Sequence, residues 1–204
     1  MIRARAGRLA LLAGLLVLGA CAGPRVRPPP PADAAALARQ AAREAALAER
    51  MHWTLHGRLG VADARDSGSG SLEWSQQGSR FRFSVHAPVT GKTWVLSGGG
   101  GHAVLEGLRE HAVEGDDAAA LLERELGWKV PLGELLYWAR GLRAPGEARI
   151  EFRDDGLPAQ IEQDGWQVRY LDYDTDRDPP LPNKVYASRG DYRVRLAIRD
   201  WSLQ

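Results

Sequence analysis

The sequence of 204 residues contains a single cysteine, Cys21, so no disulfide bond can form within the chain. Its fold must therefore be stabilised by the packing of apolar side chains. The charges are nearly balanced, with 27 lysine and arginine residues against 26 aspartate and glutamate residues. Since nucleic-acid-binding domains are usually strongly basic, this balance argues against nucleic acid as a partner.

The sequence also lacks the motifs of common catalytic and metal sites. Its five histidines do not show the spacing of metal ligands, and no serine lies in a G-x-S-x-G motif. The segment 91–93, Gly-Lys-Thr, matches the end of a phosphate-binding loop, but His86 occupies the position of the required upstream glycine. The alternating aspartates of residues 172–178 match a calcium loop only loosely. We therefore expect no enzymatic activity, no metal site and no cofactor.

The amino-terminal segment has the pattern of an export signal. Three arginines precede an apolar run at residues 9–18, and the small residues Gly19 and Ala20 follow it. This order predicts a secretory signal peptide over residues 1–20. The run is too short for a membrane span, which needs about 20 apolar residues.

Cys21 directly follows this segment, in the run Leu-Gly-Ala-Cys of residues 18–21. The run resembles the lipobox of bacterial lipoproteins, which implies cleavage before Cys21 and attachment of acyl chains to it. Two or three acyl chains anchor a protein firmly to a bilayer, because each buried methylene contributes about 0.8 kcal/mol. Ala22 stands where an aspartate would favour retention at the inner membrane, so the resemblance implies the periplasmic face of the outer membrane. The alternative is an ordinary signal peptide with a cysteine at the cut by chance.

Residues 21–31 are expected to form a tether between this lipid anchor and the folded domain. Four consecutive prolines, residues 28–31, favour an extended polyproline geometry and make the tether semi-rigid. A proline ligand for a partner protein is the alternative reading of this run. After loss of residues 1–20 the chain carries 24 basic and 26 acidic residues, a net charge of −2.

The remainder, residues 32–204, is predicted to be one α+β domain. Residues 32–51 are rich in alanine and predict an amphipathic helix with Leu37, Ala41, Ala45 and Ala48 on its apolar face. From residue 52 the apolar period changes to two, which predicts about eleven antiparallel strands separated by turns. Two further helices, at 117–126 with Asp116 as its N-cap and at 131–140, are expected to cover the sheet as a lid.

A curled sheet would place one apolar face on its concave side, where an acyl chain could lie. The inward-facing side chains that we expect to line such a cavity are Trp53, Leu55, Leu59, Leu72, Trp74, Phe81, Phe83, Val85, Trp94, Leu96, Leu135 and Trp138. The alternative is that the same side chains fill a solid core.

Three segments together resemble the LolB family of outer-membrane lipoprotein receptors. They are residues 87–91, residues 130–142, and residues 173–182 with the final Asp200-Trp201. Their order and spacing agree with the family over most of residues 50–204, and the lipobox agrees as well. The resemblance implies an incomplete antiparallel β-barrel whose apolar cavity is covered by a helical lid.

The same resemblance implies a function. The protein would accept lipidated cargo proteins from the periplasmic carrier LolA and insert them into the phospholipid of the outer membrane. The loop of Pro88, Val89, Thr90 and Gly91 would be the membrane-insertion loop, with Val89 at the position of an exposed leucine in the family. We expect a monomer.

Two other classes of function stay open at this point. An envelope-assembly scaffold would share the lipid anchor and the β-rich body but would have a solid core. An envelope hydrolase would need a cluster of polar catalytic residues, which the sequence does not indicate.

Overall fold

The structure is a computed structural model that describes residues 34–88 and 91–203. The predicted signal peptide, Cys21, the tether, Val89 and Thr90 lie outside the described residues. From residue 34 on, the chain belongs to one compact unit. The elements in chain order are α1 (Ala34–Ala48), β1 (His52–Ala62), β2 (Ser67–Gln77), β3 (Arg80–Ala87), β4 (Lys92–Gly98), β5 (Ala103–Glu106), β6 (Val113–Gly115), α2 (Ala118–Leu126), α3 (Leu132–Trp138), β7 (Arg149–Phe152), β8 (Pro158–Gln163), β9 (Trp166–Asp174), β10 (Leu181–Arg189) and β11 (Tyr192–Leu203).

The eleven strands form a single antiparallel sheet in the order β6-β5-β4-β3-β2-β1-β11-β10-β9-β8-β7. Each half of the sheet is a meander of neighbouring strands, and the pair β1–β11 joins the two halves. Within the described residues β6 and β7 are the two edges and do not pair with each other, so the sheet does not close. The predicted α+β fold with an incomplete antiparallel barrel of about eleven strands is confirmed.

One face of the sheet is apolar because buried and exposed residues alternate along the strands. A row of aromatic rings crosses this inner face from β11 to β4. The ring centroids of Trp201 and Trp53 are 5.5 Å apart, those of Trp53 and Trp74 5.1 Å, those of Trp74 and Phe83 5.3 Å, and those of Phe83 and Trp94 6.0 Å. Such contacts stabilise beyond the burial of area, by about 0.5–1.5 kcal/mol per pair. The tryptophans therefore act mainly as the core of the sheet.

Helix α2 covers the inner face at β4, β5 and β6 and buries Leu121 and Leu122 completely. Its N-cap is Asp117, whose Oδ1 accepts a hydrogen bond of 2.7 Å from the Ala120 amide. The expected cap, Asp116, was wrong by one residue, because only the side chain at 117 reaches the free amides of the first turn. No helix within the described residues is long and apolar enough to span a membrane.

The face that α1 buries differs from the predicted one. Leu37, Ala41, Ala45 and Ala48 are exposed, whereas Ala36, Gln40, Arg43 and Leu47 are buried. Alanine side chains offer little apolar area, so their burial gains little free energy. The orientation of α1 is decided instead by hydrogen bonds from the two long polar side chains of the buried face.

Arg43 makes most of these bonds. Its guanidinium donates to the carbonyl oxygens of Gly141 at 2.8 Å, Arg140 at 2.6 Å and Pro180 at 2.7 Å. Burial lowers the pKa of Arg43, since the charged form loses water on folding. Gln40 adds a bond of 3.0 Å from its Nε2 to the Gly141 carbonyl. These contacts tie α1 to the segment that follows α3.

An ion pair reinforces the same junction. The Arg143 Nη2 atom lies 2.6 Å from Oε2 of Glu44. Burial alone would raise the pKa of Glu44, but hydrogen bonds from Arg143 and Gln40 outweigh it, and the pKa of this carboxyl is lowered. Both partners are partly exposed, so the pair is expected to stabilise the fold only modestly.

Candidate functional site

An apolar groove of about 430 Å³ lies between the inner face of β2 and β3 and the first turns of α2 and α3. Trp74 and Phe83 form its floor, together with Phe81 at the end of the strand pair. The side chains of Leu132 and Leu136 line it from α3, and Ala118 and Ala119 line it from α2. Polar groups are confined to Gln76, Ser79, Asp117 and Tyr137.

The groove has the size and composition of a site for an apolar ligand. Ligand sites usually measure about 300–1,000 Å³ and are lined mainly by apolar and aromatic side chains with a few polar groups. The side chain of Gln76, which is only 3% exposed, is held in place because its Nε2 donates to the Gly78 carbonyl at 2.7 Å. The carboxylate of Asp117 is engaged as the α2 N-cap. Neither polar group is therefore directed to chemistry on a substrate.

Three of the twelve predicted cavity residues line this groove, namely Trp74, Phe81 and Phe83. The other nine are at most 4% exposed and lie in the core: Trp53, Leu55, Leu59, Leu72, Val85, Trp94, Leu96, Leu135 and Trp138. The structure thus brings all twelve to one side of the sheet, but most of them contact each other rather than open space.

The groove contains residues that the sequence did not single out as cavity residues, among them Met51, Leu132, Leu136 and Tyr137. Leu132 and Leu136 are four residues apart and therefore share one face of α3. That spacing was a usable signal for a common face. It could not indicate that this face borders the groove whereas the adjacent Leu135 is fully buried.

Gln163 of β8 fixes the segment that follows α3. Its Oε1 accepts hydrogen bonds from Nε1 of Trp138 at 3.2 Å and from the Ala144 amide at 2.9 Å. Its Nε2 donates to the Ala144 carbonyl at 2.8 Å. Gln163 is 2% exposed, so these bonds form away from water. One buried side chain thus positions both the last residue of α3 and the loop behind it.

The predicted membrane-insertion loop connects β3 and β4. Its described residues, Pro88 and Gly91, flank Val89 and Thr90. Gly91 has a φ of +66° and donates its amide to the Ala87 carbonyl at 2.9 Å, which closes a tight turn. At the base of the hairpin, Nδ1 of His86 lies 2.9 Å from Oγ1 of Thr93.

Another depression, of about 910 Å³, is more polar. It lies beside β7 and β8 and is lined by charged groups such as Arg149, Glu162 and Asp164. Such a lining would leave charges without water if an apolar chain covered it. Within residues 34–88 and 91–203 no group of three or more potential ligand side chains could hold a metal ion.

Comparisons with known proteins agree with the segments noted in the sequence. A family model described as "Outer membrane lipoprotein LolB" matches residues 51–201. The protein named "Outer-membrane lipoprotein LolB" of Xanthomonas campestris pv. campestris (strain B100) is 37% identical over 170 residues, which cover 80% of this chain and 78% of that protein. The protein of the same name from Xylella fastidiosa (strain 9a5c) is 38% identical over 182 residues, which cover 88% of this chain and 84% of that protein.

Among solved structures, the fold is similar to that of the LolA superfamily protein NE2245 from Nitrosomonas europaea. The TM-score is 0.54 at 11% sequence identity, and the match covers 81% of this chain and 93% of that chain. At this identity the likeness concerns the fold alone.

Proposed function

Because the chain belongs to the LolB family of outer-membrane lipoproteins, which serves lipoprotein localisation, we propose that it accepts lipidated proteins from the periplasmic carrier LolA and inserts them into the outer membrane. The observation that carries this proposal is the apolar groove beneath α2 and α3. It would shelter the acyl chains of the cargo, which are strongly unfavourable in water at about 0.8 kcal/mol per methylene. Transfer would follow from a higher affinity for the chains in the acceptor than in the carrier.

Anchoring of the protein and release of the cargo would both depend on residues outside the described part of the chain. Acylated Cys21 would anchor the protein, and the prolines of the tether would act as a semi-rigid spacer between the anchor and the domain. The hairpin tip at Val89 would contact the membrane when cargo is released. Support for the tip comes from its flanking residues, because β3 ends at Ala87, β4 begins at Lys92, and the Gly91 amide donates to the Ala87 carbonyl.

Gly133 offers a direct test of the groove. This residue lies on the groove, and a Cβ atom added to it would meet no atom within 4 Å. A large side chain can therefore be introduced without displacing the core. We expect Gly133→Trp to fill the groove and to lower the affinity for palmitate at least about ten-fold, while Gly133→Ala binds as the wild type does.

The measurement is displacement by palmitate of a dye that fluoresces in apolar surroundings, followed by transfer of a lipidated cargo from the purified carrier. Glu134→Trp is the matched control, since residue 134 lies on the same helix but does not line the groove. If Gly133→Trp and Glu134→Trp behave alike, the groove is not the acyl site. If the wild type takes up neither palmitate nor cargo, the proposed function is wrong.

A scaffold role in an envelope assembly is the second candidate. The observation in its favour is that nine of the twelve expected cavity residues pack in the core. A scaffold would show no saturable palmitate binding, so the dye experiment separates the two functions.

A further inference from the structure

The outer face of the sheet carries a group of five basic side chains. Arg58 of β1, Arg169 of β9, Lys184 of β10, and Arg193 and Arg195 of β11 form this group, which we call the basic face. All five are exposed. None of them forms an ion pair with a carboxylate of the described residues.

The strand register makes these residues neighbours. Arg195 is opposite Tyr186, which is opposite Arg169 on the next strand. The Arg195 guanidinium lies 5.3 Å from the Tyr186 ring centroid. In the adjoining row Arg58 and Lys184 flank Ala197 on its two sides. At about 4.8 Å per strand, the basic face extends about 15 Å across β9, β10, β11 and β1.

Acidic side chains border the basic face, but among the described residues they form no ion pair with it. Glu73 and Asp200 lie 3.5 Å and 3.7 Å from His56. Asp172 is opposite Lys184, and Glu162 of the neighbouring β8 lies 3.9 Å from Arg149 instead. The whole chain has 27 basic and 26 acidic residues, so the basic face reflects segregation of charge rather than an excess. No two of the five cations are directly opposite each other, since Ala197 and Tyr186 lie between them. Their charges nevertheless lie on one face of the sheet, where they would attract an anionic partner.

The location of the basic face indicates the partner. The row of Arg58 continues through Ser71 to His86, at the base of the β3–β4 hairpin. The five cations therefore lie on the half of the outer face where β3 ends at Ala87 and β4 begins at Lys92. A bilayer that contacts the tip would bring its headgroups toward this surface.

We propose that the basic face binds the phosphates of anionic phospholipid headgroups and orients the domain on the bilayer for release of cargo. The proposal rests on the proposed function in that it assumes membrane contact at the hairpin. Arginine suits this role because its guanidinium donates two parallel hydrogen bonds to one phosphate. Each basic residue near an anionic membrane surface contributes measurable attraction, which salt weakens.

The test uses the chain from residue 21 to 204 with Cys21→Ala, so that no acyl anchor contributes. Co-sedimentation is measured with vesicles of phosphatidylethanolamine and phosphatidylglycerol, and with vesicles of phosphatidylcholine alone. We expect the double variant Arg58→Glu, Arg195→Glu to bind the anionic vesicles about ten-fold more weakly or worse. The control is Arg80→Glu, Arg82→Glu on the exposed outer face of β3, which changes the net charge equally and should alter binding less than about two-fold.

Thermal unfolding of both double variants checks that these exposed substitutions leave the fold intact. Equal losses in the two variants, or equal binding of the unsubstituted chain to neutral vesicles, would overturn the proposal. So would normal vesicle binding combined with a loss of transfer from the carrier, which would identify an acidic protein as the partner. Binding of palmitate to the groove is measured in parallel. If no palmitate binds, the proposed function is contradicted, whereas the binding of vesicles to the basic face is judged separately.

Discussion

Replacement of Gln163 by leucine should strongly destabilise the domain although leucine is close to glutamine in size. The side chain of Gln163 is buried and makes three hydrogen bonds, two of them to the backbone of Ala144 and one to Trp138. Leucine provides no partner for these groups. Because Trp138 is fully buried and Ala144 is 5% exposed, water cannot readily replace the lost bonds.

The magnitude follows from the number of groups left unpaired. A buried polar group without a partner costs about 1–3 kcal/mol. Three such groups would cost about 3–9 kcal/mol, and the extra apolar burial by leucine and local relaxation offset part of this. We expect a loss of about 3–5 kcal/mol in the free energy of unfolding, against a total of about 5–15 kcal/mol for a typical domain.

The assay is urea denaturation followed by tryptophan fluorescence. Gln160→Leu is the matched control on the same strand, because Gln160 is half-buried and, among the described residues, its side chain donates one hydrogen bond, to Glu162 at 3.0 Å. We expect that control to change the free energy of unfolding by less than about 1 kcal/mol. A loss below about 1 kcal/mol in Gln163→Leu would refute the reasoning, since it would mean that the three bonds do not form or are replaced by water.

Three further predictions concern the anchor, the hairpin tip and the α1 junction. Cys21→Ala should abolish covalent labelling with radioactive palmitate and should abolish membrane attachment. If the wild-type chain is not labelled either, Cys21 is not part of a lipobox. Val89→Glu should retain palmitate binding but lose insertion of cargo into liposomes, whereas Val89→Leu should insert cargo at least as well as the wild type. Normal insertion by Val89→Glu would show that Val89 is not needed for contact with the membrane. The pKa of Glu44 is lowered below 4.5 in the folded chain, so its stabilising effect is present above pH 4.5 and is lost as the pH falls through the folded value. The urea midpoint of Glu44→Gln should therefore be lower than that of the wild type at pH 7, and the two midpoints should converge in more acidic solution. A difference between the midpoints that does not change with pH would contradict the stabilising role of ionised Glu44.

The positions of the strands and the alternation of buried and exposed residues along them were predictable, because both depend on local signals. Alternation of apolar and polar residues marks the inner face, and glycine-rich turns such as residues 98–101 separate the strands. The antiparallel meander follows from such short connections, so most of the fold could be inferred from neighbouring residues.

The orientation of α1 and the lining of the groove could not be inferred in this way. Counting apolar residues favours the face of Leu37 and Ala41, but the buried face is chosen by Arg43, whose acceptors lie about 100 and 137 residues away in the chain. On α3 the adjacent residues Leu135 and Leu136 are equally apolar, yet one is in the core and the other on the groove. Such distinctions depend on contacts between distant segments, which a local pattern does not encode.

The pairing of β1 with β11 has a consequence for the order in which the chain folds. The strands β1 to β6 can pair with their neighbours along the chain, and so can the strands β7 to β11. The pair in the middle of the sheet, however, joins β1 to β11. The sheet is therefore incomplete until β11 is in place, because β11 pairs with β1 on one side and with β10 on the other. A chain of this topology must bring together segments about 140 residues apart before its sheet is complete, and pairing over such a distance is slow because a long loop has to be closed.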